Sequence, residues 1–166
     1  MIKQINMAFT LLLGALAISI LKLGRNLSHE KKIFTLAVNN GIPQPLALLI
    51  VAQAKHETAV NGVPFMSRQF LINNNAFGYG RVPGNKYQQE ISGGKHPEDA
   101  GHYAKYSTVD NSIMDVIGWY QRRKNVFYNI DDHMSFSHQL KSSGYYTDNV
   151  KNYSAGVKKF YQTNIT

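Results

Sequence analysis

Hydrophobic residues along the chain form one long N-terminal run and then shorter groups with helical spacing. Residues 5–23 are apolar except at four positions, namely Asn6, Thr10, Ser19 and Lys22. Because a helix rises about 1.5 Å per residue, this run just reaches across a bilayer core of about 30 Å. The pattern predicts an N-terminal transmembrane anchor over residues 1–27 and a globular domain over residues 28–166.

Two other interpretations of the N-terminal run remain open. Lys3 precedes the run, and Ala15-Leu16-Ala17 has the small-x-small pattern of a signal-peptide cleavage site. The apolar run continues beyond Ala17 to Leu21, which favours an uncleaved anchor over a cleaved signal. The third interpretation is a buried helix of the globular domain.

The rest of the chain alternates between helical patterns and turn residues. Ser28 can cap a first helix, which Gly41 and Pro43 would end. Pro45 suits the first turn of a second helix, which ends before Pro64. Apolar positions three and four residues apart predict helices over residues 30–38, 45–57, 65–72, 112–123, 135–142 and 149–161.

Residues 86–106 have a different pattern. Tyrosines and Ile91 surround a turn formed by Ser92-Gly93-Gly94 and Pro97. This arrangement predicts a hairpin-like β excursion. The expected fold class is therefore α+β, a mostly helical domain with a small β lobe that follows the N-terminal transmembrane helix.

Composition and charge exclude several kinds of chemistry. The chain has 166 residues, 43% of them hydrophobic, and no cysteine. It can fill one core, but it cannot use disulfides, thiol catalysis or thiolate zinc sites. The net charge is +8, and Lys3, Lys22 and Arg25 precede the domain, which leaves +5 on the domain itself. This charge predicts an anionic partner, such as nucleic acid, acidic lipid or cell-wall polymer.

Glu57 stands at the end of the second predicted helix, on its apolar face. Counting back four and seven residues places Gln53 and Ile50 on the same face. A carboxyl group in such surroundings loses hydration when charged, which raises its pKa and suits it to act as a general acid. The alternative is a structural glutamate that caps a turn or pairs with Lys55 or Arg68.

Other catalytic motifs are incomplete. His56-Glu57 begins like a zinc-protease helix, but Val60 stands where the second histidine is required. The histidines lack ligand pairs at helical spacing, apart from the loosely spaced His133 and His138, so we expect no metal and no cofactor. The sequence also has no Gly-x-Ser-x-Gly elbow and no phosphate-binding glycine loop.

Four segments resemble the glucosaminidase family, glycoside hydrolase family 73, in the order found in that family. They are AQAKHET at residues 52–58, NNNAFG at 73–78, YAKYS at 103–107 and LKSSGYYTD at 140–148. The resemblance covers residues 30–162. It implies a lysozyme-like α+β fold and cleavage of the β-1,4 bond between N-acetylglucosamine and N-acetylmuramic acid in peptidoglycan.

The resemblance also implies catalytic roles. Glu57 matches the general acid that protonates the glycosidic oxygen, and Tyr145 matches a tyrosine whose hydroxyl faces the sugar. Glu90, in YQQEISGGK, matches a second carboxylate in the β lobe, acting as a base toward water or as a stabiliser of the oxocarbenium-like transition state. Glu98 and Asp99 are the other candidates for that role.

Substrate-binding residues follow from the same segments. The resemblance implies that the cleft is lined by Asn75, Phe77, Gly78, Tyr106 and Asp148. Two positions depart from the family: Thr58 replaces the usual serine, and Tyr79-Gly80 replaces an aliphatic residue and lysine. Without a second carboxylate, the substrate's own acetamido group could assist, or the reaction could end in an anhydro-sugar as in lytic transglycosylases.

Together these observations predict a peptidoglycan hydrolase whose partners are glycan strands and, through the N-terminal helix, a membrane. The substrate places the domain on the cell-wall side of the envelope or in a viral membrane, although the positive-inside rule applied to Lys22 and Arg25 favours the cytoplasm.

The short chain suits a phage virion or lysis enzyme. The alternatives are a non-catalytic wall-binding module, a structural virion protein, or a domain for nucleic acid or lipid surfaces. No helix-turn-helix supports nucleic acid, which we do not expect as a partner.

Overall fold

Turn residues set most of the helix boundaries. The computed structural model describes residues 29–82, 84–89 and 103–161. Gly41 has a φ of 81°, which favours glycine, and ends the first helix as expected. In chain order the helices are α1 (29–39), α2 (Gln44–Thr58), α3 (Arg68–Asn73), α4 (Val109–Gln121), α5 (Lys124–Phe127), α6 (His133–Ser142) and α7 (Val150–Tyr161).

The predicted membrane anchor over residues 1–27 lies outside the described residues. None of the helices within the described ranges is long and apolar enough to cross a membrane.

α2 is the central helix of the core. Pro45 lies in its first turn, where the missing N–H leaves no partner unsatisfied. The helix is buried on nearly all sides between Leu46 and Thr58. α7 packs against it at Gly156, where an added Cβ would overlap the imidazole of His56. Glycine at this position therefore allows the two helices to approach closely.

Aromatic side chains connect the C-terminal helices to each other. The ring of Tyr120 in α4 lies 5.0 Å from Phe127 in α5 and 6.1 Å from Phe136 in α6, measured between centroids. Trp119 contacts Phe127 at 5.4 Å. These aromatic contacts bury large apolar surfaces, so the cluster holds α4, α5 and α6 against one another.

The predicted β lobe is wrong for the residues that the structure describes. Residues 103–106 form only isolated bridges, Tyr103 with Gly80 and Tyr106 with Gln88, and no strand forms anywhere in the described ranges. The described chain is helical, not α+β. The side chains that would flank a hairpin bind α4 instead: Gln88 and Tyr106 both hydrogen-bond the carboxylate of Asp115.

Candidate functional site

A cleft of about 560 Å³ opens at the C-terminal end of α2. Two loop segments, residues 78–82 and 143–148, provide most of its lining. α4 and α7 each contribute an aromatic side chain, Trp119 and Tyr153. The predicted residues Glu57, Gly78, Tyr145 and Asp148 all lie on the cleft surface.

Glu57 occupies the last turn of α2 and points into this cleft. Its side chain is partly buried, and Oε1 accepts a 2.6 Å hydrogen bond from the Tyr153 hydroxyl. Oε2 lies beside Gly78, where a built Cβ would be 3.4 Å away. Gly78 has a φ of 58° and leaves space beside this oxygen. The two carboxyl oxygens therefore have different surroundings, one bonded to Tyr153 and the other beside the open glycine.

Burial raises the pKa of Glu57 to about 7, and the hydrogen bond from Tyr153 partly opposes this rise. Burial and the nearby Glu57 carboxylate also raise the pKa values of Tyr145 and Tyr153 well above 10. These phenols thus stay protonated at neutral pH, and the Tyr153 hydroxyl has a proton to donate to the Glu57 carboxylate. A carboxyl group with a pKa near 7 can both hold and release a proton at neutral pH.

The sequence also allowed a structural ion pair between Glu57 and Lys55, but Lys55 pairs with Glu30. The ammonium of Lys55 lies 3.0 Å from the carboxylate of Glu30, and both side chains are less than a tenth exposed. This buried pair joins α1 to α2. Neither of the two ion pairs found among the described residues includes Glu57.

Tyr145 lines the cleft with its ring, while its hydroxyl donates to the backbone carbonyl of Phe77 at 2.8 Å. Its ring centroid lies 5.7 Å from Trp119 and 6.1 Å from Tyr79. The three rings form an aromatic surface beside Glu57. The resemblance implied a tyrosine hydroxyl that faces the sugar, whereas here that hydroxyl ties residues 77–78 to the loop that carries Tyr145.

Asn75 and Phe77 are buried, with 0% and 1% of their surfaces exposed, and they do not line the cleft. The Asn75 amide donates to the carbonyls of Tyr79 and Ala104 at 2.9 and 3.1 Å, and its Oδ1 accepts from the Tyr79 N–H at 3.0 Å. Phe77 packs in the core. In this arrangement they cannot contact a substrate directly, and they instead hold the turn that presents Gly78.

Tyr106 is also fully buried, and it too lies away from the cleft surface. Its hydroxyl donates to Asp115 at 2.9 Å, and the amides of Asn85 and Gln88 donate to the same carboxylate at 2.8 and 3.0 Å. Asp115 is 2% exposed, so these three donors satisfy a buried carboxylate. The network holds residues 84–89 and 103–106 against α4.

The two carboxylates on the described cleft surface are Glu57 and Asp148. Asp148 is exposed, and its charge raises the pKa of His56 while burial lowers it more strongly. Glu90 lies outside the described residues, as do Glu98 and Asp99. Its predicted role as the second carboxylate therefore stays a prediction.

Tyr153 was not identified from the sequence as a functional residue. Its sequence signal is weak because it lies in the apolar stripe of α7 with Val157 and Phe160, where a core role is the ordinary one. The bond to Glu57 joins residues 96 positions apart. Trp119, a core residue that is only 6% exposed, reaches the cleft surface as well.

Thr58, directly after the acid, organises the loop that follows α2. Its hydroxyl donates to the Ala54 carbonyl at 2.6 Å and accepts from the Phe65 N–H at 2.9 Å. Phe65 has a φ of 59°, an unfavourable conformation for a bulky residue. Serine and threonine both supply such a hydroxyl, so either residue could make this contact.

No group of three or more histidine, aspartate or glutamate side chains could hold a metal ion within the described ranges. Comparisons with protein family models, with curated proteins and with solved structures found no match to this chain.

Proposed function

We propose that this protein is a glycoside hydrolase that cleaves β-1,4 bonds between N-acetylglucosamine and N-acetylmuramic acid in peptidoglycan. The observation that supports it best is Glu57, a carboxyl group in a cleft whose pKa burial raises to about 7. The four segments that resemble the glucosaminidase family agree with this chemistry. A cleft is also the shape that a linear glycan strand requires.

In the proposed reaction, Glu57 protonates the glycosidic oxygen from Oε2. The bond between that oxygen and the anomeric carbon breaks, its electrons stay on the oxygen, and positive charge develops on the sugar ring. Tyr153 holds Oε1, and its hydrogen bond stabilises the carboxylate that forms as the proton leaves. Water then attacks the anomeric carbon and loses a proton to a base. Glu90 is the proposed second carboxylate for that step.

The partly exposed rings of Tyr79 and Tyr145 on the cleft surface support binding of sugars, since the apolar faces of pyranose rings can pack on such rings. The net charge of +8 suits an anionic wall polymer. Because peptidoglycan lies outside the cytoplasm, we place the domain on the cell-wall side of the envelope or in a viral particle. A phage virion or lysis enzyme fits this proposal.

The direct test is digestion of purified cell walls by the wild-type protein and by Glu57→Gln. Loss of a general acid should slow wall clearing by about 10²- to 10⁴-fold. Asp131→Asn is the matched control, because Asp131 is an exposed carboxylate away from the cleft surface. If Glu57→Gln clears cell walls as fast as the wild-type protein, Glu57 is not the general acid.

Mass spectrometry of the fragments identifies the bond. Reducing N-acetylglucosamine ends support the glucosaminidase reaction, reducing N-acetylmuramic acid ends indicate a muramidase, and anhydro ends indicate a lytic transglycosylase. Wild-type protein that binds walls and releases no fragment would support the non-catalytic wall-binding alternative.

A further inference from the structure

Arg81 places a positive charge on the cleft surface. Among the described residues on the cleft surface it is the single lysine or arginine. It stands in the loop segment 78–82, two residues after Tyr79. Any anionic group on a bound ligand would therefore meet this side chain within the same cleft as Glu57.

The backbone on both sides of Arg81 is held in place. The Tyr79 carbonyl accepts from the Ala104 N–H at 2.9 Å. The Gln88 side chain accepts from the Val82 N–H at 2.7 Å and donates to the Gly80 carbonyl at 3.3 Å. Gln88 is in turn bound to the buried carboxylate of Asp115. The position of the Arg81 Cα is thus set by contacts that extend to α4.

The Arg81 side chain itself is exposed, and no described residue forms a hydrogen bond or an ion pair with its guanidinium. Arg123 offers a contrast close by. Its guanidinium stacks 4.1 Å above the Trp119 ring and donates to the Trp119 carbonyl at 3.4 Å. Arg123 is engaged within the fold, whereas the donors of Arg81 have no partner among the described residues.

We propose that Arg81 binds a carboxylate of the glycan strand and so selects muramic acid-containing polymer over neutral N-acetylglucosamine polymer. This proposal rests on the proposed function. The guanidinium fork matches a carboxylate with two parallel hydrogen bonds, which gives both strength and orientation. Muramic acid units can supply such a carboxylate in two ways: the lactyl group carries one where no stem peptide is amide-linked to it, and the acidic groups of the stem peptide carry one where the peptide is present.

The charge of Asp148 helps to orient a strand that is bound at Arg81. It places a negative charge on the loop segment 143–148 of the same cleft. A carboxylate-bearing sugar is attracted to Arg81 and repelled by Asp148. The charge pattern therefore favours one placement of the alternating sugars relative to Glu57, and with it one of the two β-1,4 bonds.

The test measures binding in the Glu57→Gln background, so that no glycan is cleaved. The probes are a chitin tetrasaccharide and two peptidoglycan tetrasaccharides without stem peptides, one with free lactyl carboxylates and one with those groups converted to methylamides. Arg81→Gln should raise the Kd for the free-carboxylate probe about tenfold, with little change for the two neutral probes. Arg81→Lys should recover part of the affinity, because it restores the charge without the planar fork.

Lys124→Gln is the matched control, since it removes one positive charge at an exposed position outside the cleft surface. Equal Kd values for Arg81→Gln and Lys124→Gln with the free-carboxylate probe and with a peptide-bearing fragment would overturn the proposal. An effect confined to the peptide-bearing fragment would assign the contact to the stem peptide. A failure of the proposed function looks different, because the wild-type protein would then leave peptidoglycan uncleaved whatever Arg81 does in binding.

Discussion

The hydroxyl of Tyr153 donates a 2.6 Å hydrogen bond to Oε1 of Glu57, which joins α7 to the last turn of α2. The Tyr153 ring is itself fixed, because Tyr146 stacks on it at 3.8 Å and His56 meets it edge-on at 4.9 Å. Oε2 is left beside Gly78. This relationship determines which oxygen of the carboxyl group can hold the acidic proton.

Tyr153→Phe should move the alkaline limit of activity to higher pH. The hydrogen bond from Tyr153 lowers the pKa of Glu57, so its loss raises that pKa above about 7. A hydrogen bond to a charged group corresponds to a change of about one pH unit. In the wild-type protein, activity that needs protonated Glu57 should fall about tenfold per pH unit above pH 7. A profile of kcat/KM on soluble peptidoglycan fragments between pH 5 and pH 9 measures the alkaline limit of the wild-type protein and that of Tyr153→Phe.

Tyr146→Phe is the control for this profile. The Tyr146 hydroxyl donates to the Ser137 carbonyl, so its removal leaves the bond between Tyr153 and Glu57 in place. The alkaline limit should stay at its wild-type position. An identical shift in both variants would mean that the Tyr153 hydroxyl does not set the pKa of Glu57.

The Glu57→Gln substitution should remove the part of the pH dependence of the free energy of unfolding that the titration of Glu57 causes. The folded pKa of about 7 lies above the ordinary value of 4.5, so the folded protein holds a proton that the unfolded chain releases between these values. The free energy of unfolding therefore falls as pH rises from about 4.5 to about 7, by at most about 3 kcal/mol. Urea denaturation at pH 4 and pH 8 should show Glu57→Gln gaining stability over the wild-type protein at pH 8 only. A constant difference between the two proteins would contradict the raised pKa.

Thr58→Val should destabilise the protein, while Thr58→Ser should remain close to wild type. Valine has the shape of threonine but leaves the buried Phe65 N–H without its acceptor, at a cost of about 1–3 kcal/mol. Serine keeps the hydroxyl. Thermal unfolding of the two variants measures the difference. If valine and serine prove equivalent, the hydroxyl contact does not stabilise the loop after α2.

The Asn75→Asp substitution should lower both stability and activity, although it changes the shape of the side chain very little. The amide group donates to two backbone carbonyls, and a carboxylate would place negative charge against both acceptors. We expect a loss of stability of about 2–4 kcal/mol, together with lower activity because Gly78 is no longer held in position. Asn74→Asp is the neighbouring control, since Asn74 is partly exposed and donates to backbone carbonyls at the surface. A larger loss at Asn74 than at Asn75 would argue against the buried turn.

Several boundaries predicted from the sequence differ from the structure for identifiable reasons. The third helix begins at Arg68 and not at Phe65, because Thr58 accepts the N–H groups of residues 65–67 and Ser67 then caps the helix. α4 begins at Val109 because the Thr108 side chain accepts from the Asn111 N–H. In both cases a capping side chain, Ser67 or Thr108, determines where the helix begins, and the apolar spacing alone does not show this.

The sequence alone determined the helices around the core and the position of Glu57 on an apolar helix face, because helical periodicity and turn residues are local properties. It also indicated the raised pKa of Glu57, since Ile50, two turns earlier on the same face, belongs to the same apolar helix. The tertiary structure decided the rest. Tyr153 reaches Glu57 from α7, and Asp115 draws the predicted β residues onto α4. Such contacts depend on how helices pack against each other, which residue spacing along one segment does not encode.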